Sequence, residues 1–467
     1  MRLFKTLLKI VALLFVAALV AGFVLYQFFG LRVVIVGSGY PRLAFAPSQE
    51  ERYQALERHR AQEPRNPGTP EPRNPGTPEP DSYWTGFRGP DRSGVYRELP
   101  IITSWPAAGL TPLWKQPVGA GYASFAVGRG RAFTIEQRRD QEVVAAYDVL
   151  TGRELWTHGW DALFEEFQGG DGPRATPAWA DGIVYALGAL GELRALDETT
   201  GAQLWRVNIL DDNGASNLQW GMAGSPLVVD NLVVVQPGGP SGRSVVAYDR
   251  SSGARVWSAL DDQQAYAAPM IATIDGVRQL VVVTARRVVG LTPERGDLLW
   301  EHPWVTSFNI NAAQPIVIGN NRVYISSGYG KGAAVLELAR AGDRFEVREV
   351  WQNNRMKNRF GSAVLHDGFI YGFDEAIFGC IDAATGELKW KGGRYGYGQV
   401  ILASDRLIVI TEDGDLVLLA PNPERHEELV RFPVLEGKTW NHPALDGGIL
   451  LVRNLAEMAA FDLRVAR

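Results

Sequence analysis

The residues of this chain best equipped for chemistry fall in eight short stretches, each just ahead of a proline or small residue that begins an apolar strand. They are Tyr122; Asp171 and Arg174; Gln219 and Trp220; Gln264 and Tyr266; Asn309 and Asn311; Lys357, Asn358 and Arg359; Tyr395 and Tyr397; and Trp440, Asn441 and His442. Aromatic faces beside amide and guanidinium donors suit a planar, anionic or sugar-like ligand. The competing reading is structural: Asp171 pairs with Arg174, the asparagines cap loops, and the aromatics fill a channel. No residue is assigned a catalytic role.

Metal and phosphate chemistry find less support. The six histidines lie in separate segments with no pair at i, i+4, which argues against zinc. Asp374-Glu375 is the nearest approach to a paired carboxylate that would hold calcium, although such a pair more often sits solvated in a turn. Asp211-Asp212-Asn213-Gly214 begins like a calcium loop but lacks the downstream bidentate glutamate. The glycine-rich run Ser327 to Gly332 leads from strand to strand, whereas a phosphate loop needs a helix N-terminus.

What must position these residues is a repeat. Seven times a hydrophobic strand ends in one phrase: usually Asp, two free positions, Thr/Ser-Gly or Arg-Gly, two more positions, then an aliphatic residue and Trp. Its full copies run Asp148 to Trp156, Asp197 to Trp205, Asp249 to Trp257 and Asp382 to Trp390. Looser copies end at Trp300 and Trp351, and a seventh near Leu418 to Phe432 has lost its Trp. Repeats of several short strands roughly 40 to 50 residues apart mark propeller blades. The phrase predicts a hairpin in which Gly takes a positive φ and Asp accepts the turn's N–H groups. Trp then fills the gap between neighbouring blades, a structural role assigned to Trp114, Trp156, Trp205, Trp257, Trp300, Trp351 and Trp390.

A second, inner hairpin recurs near residues 129, 181, 230, 275, 320, 367, 404 and 446, which gives an all-β, eight-bladed propeller. Seven blades is the alternative if the weak seventh phrase is an insertion. The last copy stops at Ala460-Phe461-Asp462, and an orphan Leu113-Trp114 precedes the first full repeat. That N-terminal strand is expected to complete the last blade and close the ring, leaving no sheet edge. Ligands of such rings bind on the axis, where the stretches named above converge.

The expected organisation is a stub and membrane helix at 1–30, a membrane-proximal segment and proline-rich linker at 31–82, and the propeller at 83–467. Ile10 to Phe29 is long and apolar enough to span a bilayer, and Arg2, Lys5 and Lys9 before it should stay cytoplasmic. A cleaved signal peptide ending near Ala21 competes, but the apolar run continues past it. The expectation is therefore a single-pass inner-membrane protein with its propeller in the periplasm. Gln49 to Gln62, charged and free of proline, can form a short helix, and Val33 to Val36 a strand or coil. The tandem Glu-Pro-Arg-Asn-Pro-Gly-Thr-Pro from Glu63 reads as a semi-rigid spacer. A formal charge of −5 gives no electrostatic case for nucleic acid, and the lone Cys380 permits neither an internal disulfide nor an N-terminal lipid.

With their spacing of Ala145, Asp148, Gly152 and Trp156, the repeats resemble those of the pyrroloquinoline-quinone-type propeller family over Trp84 to Asp462. Phe87-Arg88-Gly89-Pro90 and the following Asp91 to Gly94 resemble the opening of a branch of bacterial envelope propellers. The resemblance implies one of two classes. The first is a non-catalytic binding or scaffolding propeller, similar to the outer-membrane-assembly subunit. It would be a monomer that binds an envelope protein or a small polar ligand and meets the membrane through its N-terminal helix. The alternative is a quinone- and calcium-dependent oxidoreductase acting on an alcohol or sugar. One cysteine supplies neither the adjacent-cysteine disulfide nor the haem motif common in those enzymes, and no ligand set for calcium can be matched, so the cofactor is not favoured.

Overall fold

Eight antiparallel sheets of four strands, one extended by a fifth, follow one another along the chain in the computed structural model, which describes residues 2–37, 39–63 and 82–465. Blades 1 to 7 occupy residues 126–161, 178–208, 227–259, 270–303, 316–353, 364–391 and 399–433. Blade 8 takes three strands from 444–462 and its outermost, β4 (Trp114–Pro117), from the other end of the chain. Leu113 donates its N–H to the Ala460 carbonyl at 2.8 Å and Trp114 stands opposite Ala460, so the ring closes as the orphan strand implied.

The burial pattern explains the strand composition. Central strands such as Gln141–Asp148 are buried along almost their whole length, because both faces lie against neighbouring blades; they read as unbroken apolar runs. Outer strands such as Glu154–Asp161 are half exposed and read as alternating.

The repeated phrase does three things at once. Asp148 Oδ1 accepts from the N–H groups of Leu150 and Thr151 (3.1 and 2.9 Å) and from the Thr151 hydroxyl, closing the turn on itself. Gly152 sits at φ +73°, open to glycine without strain. A register shift then recurs between the third and fourth strands of blades 1 to 7, beside the position that Trp takes in blades 1 to 6. Indole Nε1–H groups of Trp114, Trp156, Trp205, Trp257, Trp351 and Trp390 donate to carbonyls of the following blade at 2.8–3.1 Å. Trp300 is the exception and donates within its own blade to Gln279, because the long hairpin of blade 5 (residues 332–353) displaces the usual turn.

Two N-terminal segments engage the ring, the first of them from outside. After helix α1 (Arg2–Phe29) come a hairpin of β1 (Leu31–Ile35) and β2 (Pro41–Phe45) and the helix α2 (Gln49–Gln62). Ser48 and Glu51 form a capping box at the start of α2, which buries Tyr53 and Leu56 and sets Glu50 and Glu57 around Arg139 of blade 1. The stretch Thr6–Gln27 of α1 is long and apolar enough to cross a membrane, a property that a signal sequence shares. The proline-rich repeat beyond Glu63 lies outside the described residues.

The second segment fills the channel. From Ser82 the chain runs into the axis, where Trp84 is fully buried and β3 (Val95–Tyr96) pairs in parallel with the innermost strand of blade 7. Arg88 and Arg92 carry this plug to the N-terminal ends of the inner strands. Arg88 donates to the carbonyls of Ser93, Ala363, Ser362 and Val400, and Arg92 to those of Ser225 and Pro226.

Candidate functional site

The eight stretches singled out in the sequence are the loops that lead from the last strand of one blade into the first strand of the next, and they gather on one face. At their base a belt of hydroxyls ties blade to blade. Ser124 N–H donates to Thr176 Oγ1 (3.0 Å), Thr176 N–H to Ser225 Oγ (2.9 Å), and Gln314 N–H to Ser362 Oγ (2.9 Å). The Ser124 hydroxyl closes toward blade 8 by donating to the His442 carbonyl at 2.6 Å. His442 itself is buried, accepts at Nδ1 from Arg88, and is held neutral by burial first and the Arg88 charge second.

Above the belt, four consecutive loops, leading into blades 6, 7, 8 and 1, build an aromatic row. Phe360 lies 5.4 Å from Tyr397 and 4.7 Å from Trp440, and Trp440 stacks on Tyr122 at 5.2 Å and 24°. Cations flank the row: Lys438 Nζ sits 4.3 Å over Trp440, Arg174 5.5 Å over Tyr122, and Arg359 5.5 Å over Tyr397 and 4.6 Å over Tyr329. Arg174 is fixed by the carbonyls of Gly172 and Gly170, and Lys438 by that of Gly169 at 2.6 Å. Arg359 meets Glu375 only at 3.9 Å. Burial lowers Lys438 to about 8 against the opposing pull of Glu412. Glu412 is the organising acid of the row: it accepts from Trp440 Nε1 at 2.9 Å and from the Tyr397 N–H at 3.3 Å.

The remaining sequence candidates separate from this arc. Trp220 and Tyr266 form a second aromatic pair 5.7 Å apart, and Gln219 beside them is exposed. Asp171 accepts from the Glu166 N–H and forms no ion pair with Arg174. Asn309 occupies a loop position at φ +56°. Asn311 is buried and donates to the carbonyls of Thr284, Ala285 and Trp304; Asn441 donates to those of Gly121 and Ala123. Gln264 likewise holds the Ser216 carbonyl, and Asn358 that of Phe373. Tyr395 points away from the row, to His426 and Glu428. Phe360, Lys438 and Glu412 escaped the sequence reading. Their one signal is position, since Phe360 adjoins Arg359 and Lys438 lies two residues before Trp440.

The fold brings to mind a calcium-bound quinone, and the donor set does not fit it. Among the described residues no group of three or more His, Cys, Asp or Glu is placed to hold a metal. Asp374 is taken by Lys357 at 2.6 Å and Lys391 at 2.8 Å, which outweigh its burial and hold its carboxyl below the usual range. Its neighbour Glu375 accepts from the Tyr397 hydroxyl at 3.2 Å. The Asp211–Gly214 stretch ends a short helix rather than forming a calcium loop.

The family model described as outer membrane protein assembly factor BamB matches residues 139–392, more than half of the chain. This chain belongs to that family. A BamB from Bordetella pertussis is 22% identical over 63% of this chain and 72% of its own length. The quinoprotein alcohol dehydrogenase PedH of Pseudomonas putida is 31% identical over 29% of this chain and 23% of its own. A europium-containing methanol dehydrogenase of known structure, 14% identical, superposes with a TM-score of 0.61 over 83% of this chain and 99% of its own. The propeller is thus related both to BamB and to the quinoprotein dehydrogenases. These relatives correct one expectation: a single-pass inner-membrane protein is overturned by a family and a relative named for the outer membrane. The physical reason is that length, apolarity and preceding cations report neither which membrane is met nor whether a helix stays in it.

Proposed function

We propose that the chain is a binding or scaffolding module of the bacterial envelope that takes its partner on the arc of loops leading into blades 6, 7, 8 and 1. The observation that carries this reading is the charge state of the row. Lys438 and Arg174 are held directly by carbonyl oxygens, and Arg359 has a carboxylate only at arm's length, so the arc presents cations with which an anionic ligand can pair. Aromatic faces under them add contact area and favour flat groups. An envelope protein with an acidic, aromatic-bearing surface, or a small polar anion, satisfies both features. Membership of the BamB family supports the first. Alanine at Lys438 or Arg359 should reduce recovery of co-purifying envelope proteins while the melting temperature stays near that of the native chain. Unchanged recovery with both would remove the arc as the binding surface.

The second reading, a quinoprotein oxidoreductase acting on an alcohol or sugar, is supported by the methanol dehydrogenase overlap and the PedH identity. The overlap spans more of the chain than the Bordetella relative does. The cation and aromatic row suits a planar polyanion, whereas among the described residues no set of calcium donors assembles. Purified protein given calcium and pyrroloquinoline quinone separates the readings: a bound-quinone absorbance with reduction of an artificial electron acceptor would establish the second.

A further inference from the structure

The aromatic row already has an occupant at one end, and it comes from this chain. The turn of the β1–β2 hairpin, closed by Val36 N–H to the Tyr40 carbonyl at 3.1 Å, lies on blade 7 with Gly37 buried. The Gly37 N–H donates to Glu412 Oε1 at 2.6 Å, the same carboxylate that accepts from Trp440 and Tyr397. A Cβ at Gly37 would stand 2.1 Å from Cδ2 of Tyr397, so the seat admits glycine alone. A few residues on, Arg42 pairs with Asp413 at 2.8 Å. The rest of the hairpin gives little to the ring: Val33, Tyr40, Leu43 and Phe45 are all exposed.

Two strands alone are marginal in water, and among the described residues this pair is anchored by one buried hydrogen bond and one solvent-exposed ion pair. Its seat is therefore exchangeable, while the seat itself is built: a buried carboxylate, a tyrosine ring face and an indole donor fixed from three loops. We propose that Glu412, Tyr397 and Trp440 form a receptor for a glycine-bearing β-turn, kept filled by the chain's own hairpin until a partner protein presents a β-hairpin of the same kind. The partner's turn would offer a backbone N–H to Glu412, glycine against Tyr397, and a cation a few residues later for Asp413. This rests on the arc being the binding face and names the class of partner it takes.

The test uses the full-length chain with Gly37→Val, which should unseat the hairpin, and a fluorescent peptide of residues 31–45 added in trans. Amide hydrogen exchange over 31–45 should quicken in the variant with the propeller unchanged. The variant should then bind the peptide at least tenfold more tightly than the native chain does. Adding E412Q, or using a peptide with valine for its glycine, should abolish the gain. Equal binding to native and variant chains, or an unseated hairpin with no peptide binding, overturns the receptor. So does a Gly37→Val chain whose hairpin exchanges as slowly as before. If the peptide fails while envelope partners are still lost on Lys438→Ala, the arc stands and only the turn receptor falls.

Discussion

The indole of Trp156 lies flat against Gly201 of the next blade, so close that a Cβ there would sit 2.5 Å from the ring, and its Nε1–H reaches the Glu198 carbonyl at 2.9 Å. Gly152 under Trp114, Gly253 under Trp205 and Gly386 under Trp351 repeat the contact. Glycine is thus required twice, for φ and for docking. The two demands can be separated by mutation. At Gly276, φ is +74° with nothing within 4 Å of a new Cβ, and alanine there should cost only the left-handed backbone penalty of about 1–2 kcal/mol. Gly201→Ala adds overpacking against Trp156, about 1–3 kcal/mol more. Urea unfolding midpoints should fall clearly further for Gly201→Ala; equal losses would show that the Trp contact contributes nothing.

The plug makes a second prediction. Arg88 is buried beneath the belt and ties together backbone carbonyls from three places, namely Ser93, Ser362 with Ala363, and Val400. Arg88→Met keeps much of the volume and orphans those carbonyls, at about 1–3 kcal/mol for each left dry. Arg97, exposed and paired with Asp91 at 3.3 Å, should be replaceable by alanine for less than about 1 kcal/mol. Comparable unfolding curves for the two variants would refute the view that the plug is part of the folded ring.

The blades were legible because their signals are local. Asp148, Thr151 and Gly152 make the turn among themselves, and the strands on either side carry an apolar pattern set by burial on one or two faces. Closure was legible too, since Leu113-Trp114 had no strand of its own. Phe87 to Gly94 was legible only as a likeness. It has no strand or helix period, and nothing in the order of its residues announces the channel in which Arg88 and Arg92 are buried. The trace it left is the glycine spacing: Gly94, at φ +75°, would put a Cβ 2.4 Å from Arg88 Nη2. The aromatic row was half legible, because which loop residues meet depends on how far each loop reaches. Thus Trp440 finds Tyr122 across the ring closure, while Tyr395, two residues from Tyr397, turns outward to His426.

Acid-dependent stability should report on Glu142. Burial between blades 1 and 2 raises its carboxyl to about 7, opposed by the Ala189 N–H, which donates to it at 2.7 Å. A raised folded-state value means that the native protein holds a proton the unfolded chain releases. The contribution is complete below the ordinary carboxyl range near 4.5 and is lost as pH rises through about 7, a change on the order of 3 kcal/mol. Glu142→Gln should remove this part of the pH dependence and leave the protein at pH 8 at least as stable as the native chain. A native profile that is flat between pH 5 and 8 would contradict the assignment.

The loop residues of the funnel face should divide into two classes with opposite consequences. Asn311 is buried, its amide serves three carbonyls, and its Oδ1 accepts from the Ser327 hydroxyl at 2.7 Å. Asn311→Ala strands those groups and should cost about 2–4 kcal/mol, with partner recovery by the folded fraction unchanged. Arg359 makes ring contacts and one distant ion pair at a mostly buried site, its side chain 21% exposed, interactions worth about 1–2 kcal/mol together. Arg359→Ala should therefore melt close to the native chain while recovering less partner, and recovery from the native chain should fall with added salt because the lost interaction is electrostatic. Thermal melts alongside quantitative recovery of envelope proteins at low and high salt decide the matter. A destabilised Arg359→Ala that keeps its partners would make Arg359 a loop fixer like Asn311, and the arc would lose one of its three cations.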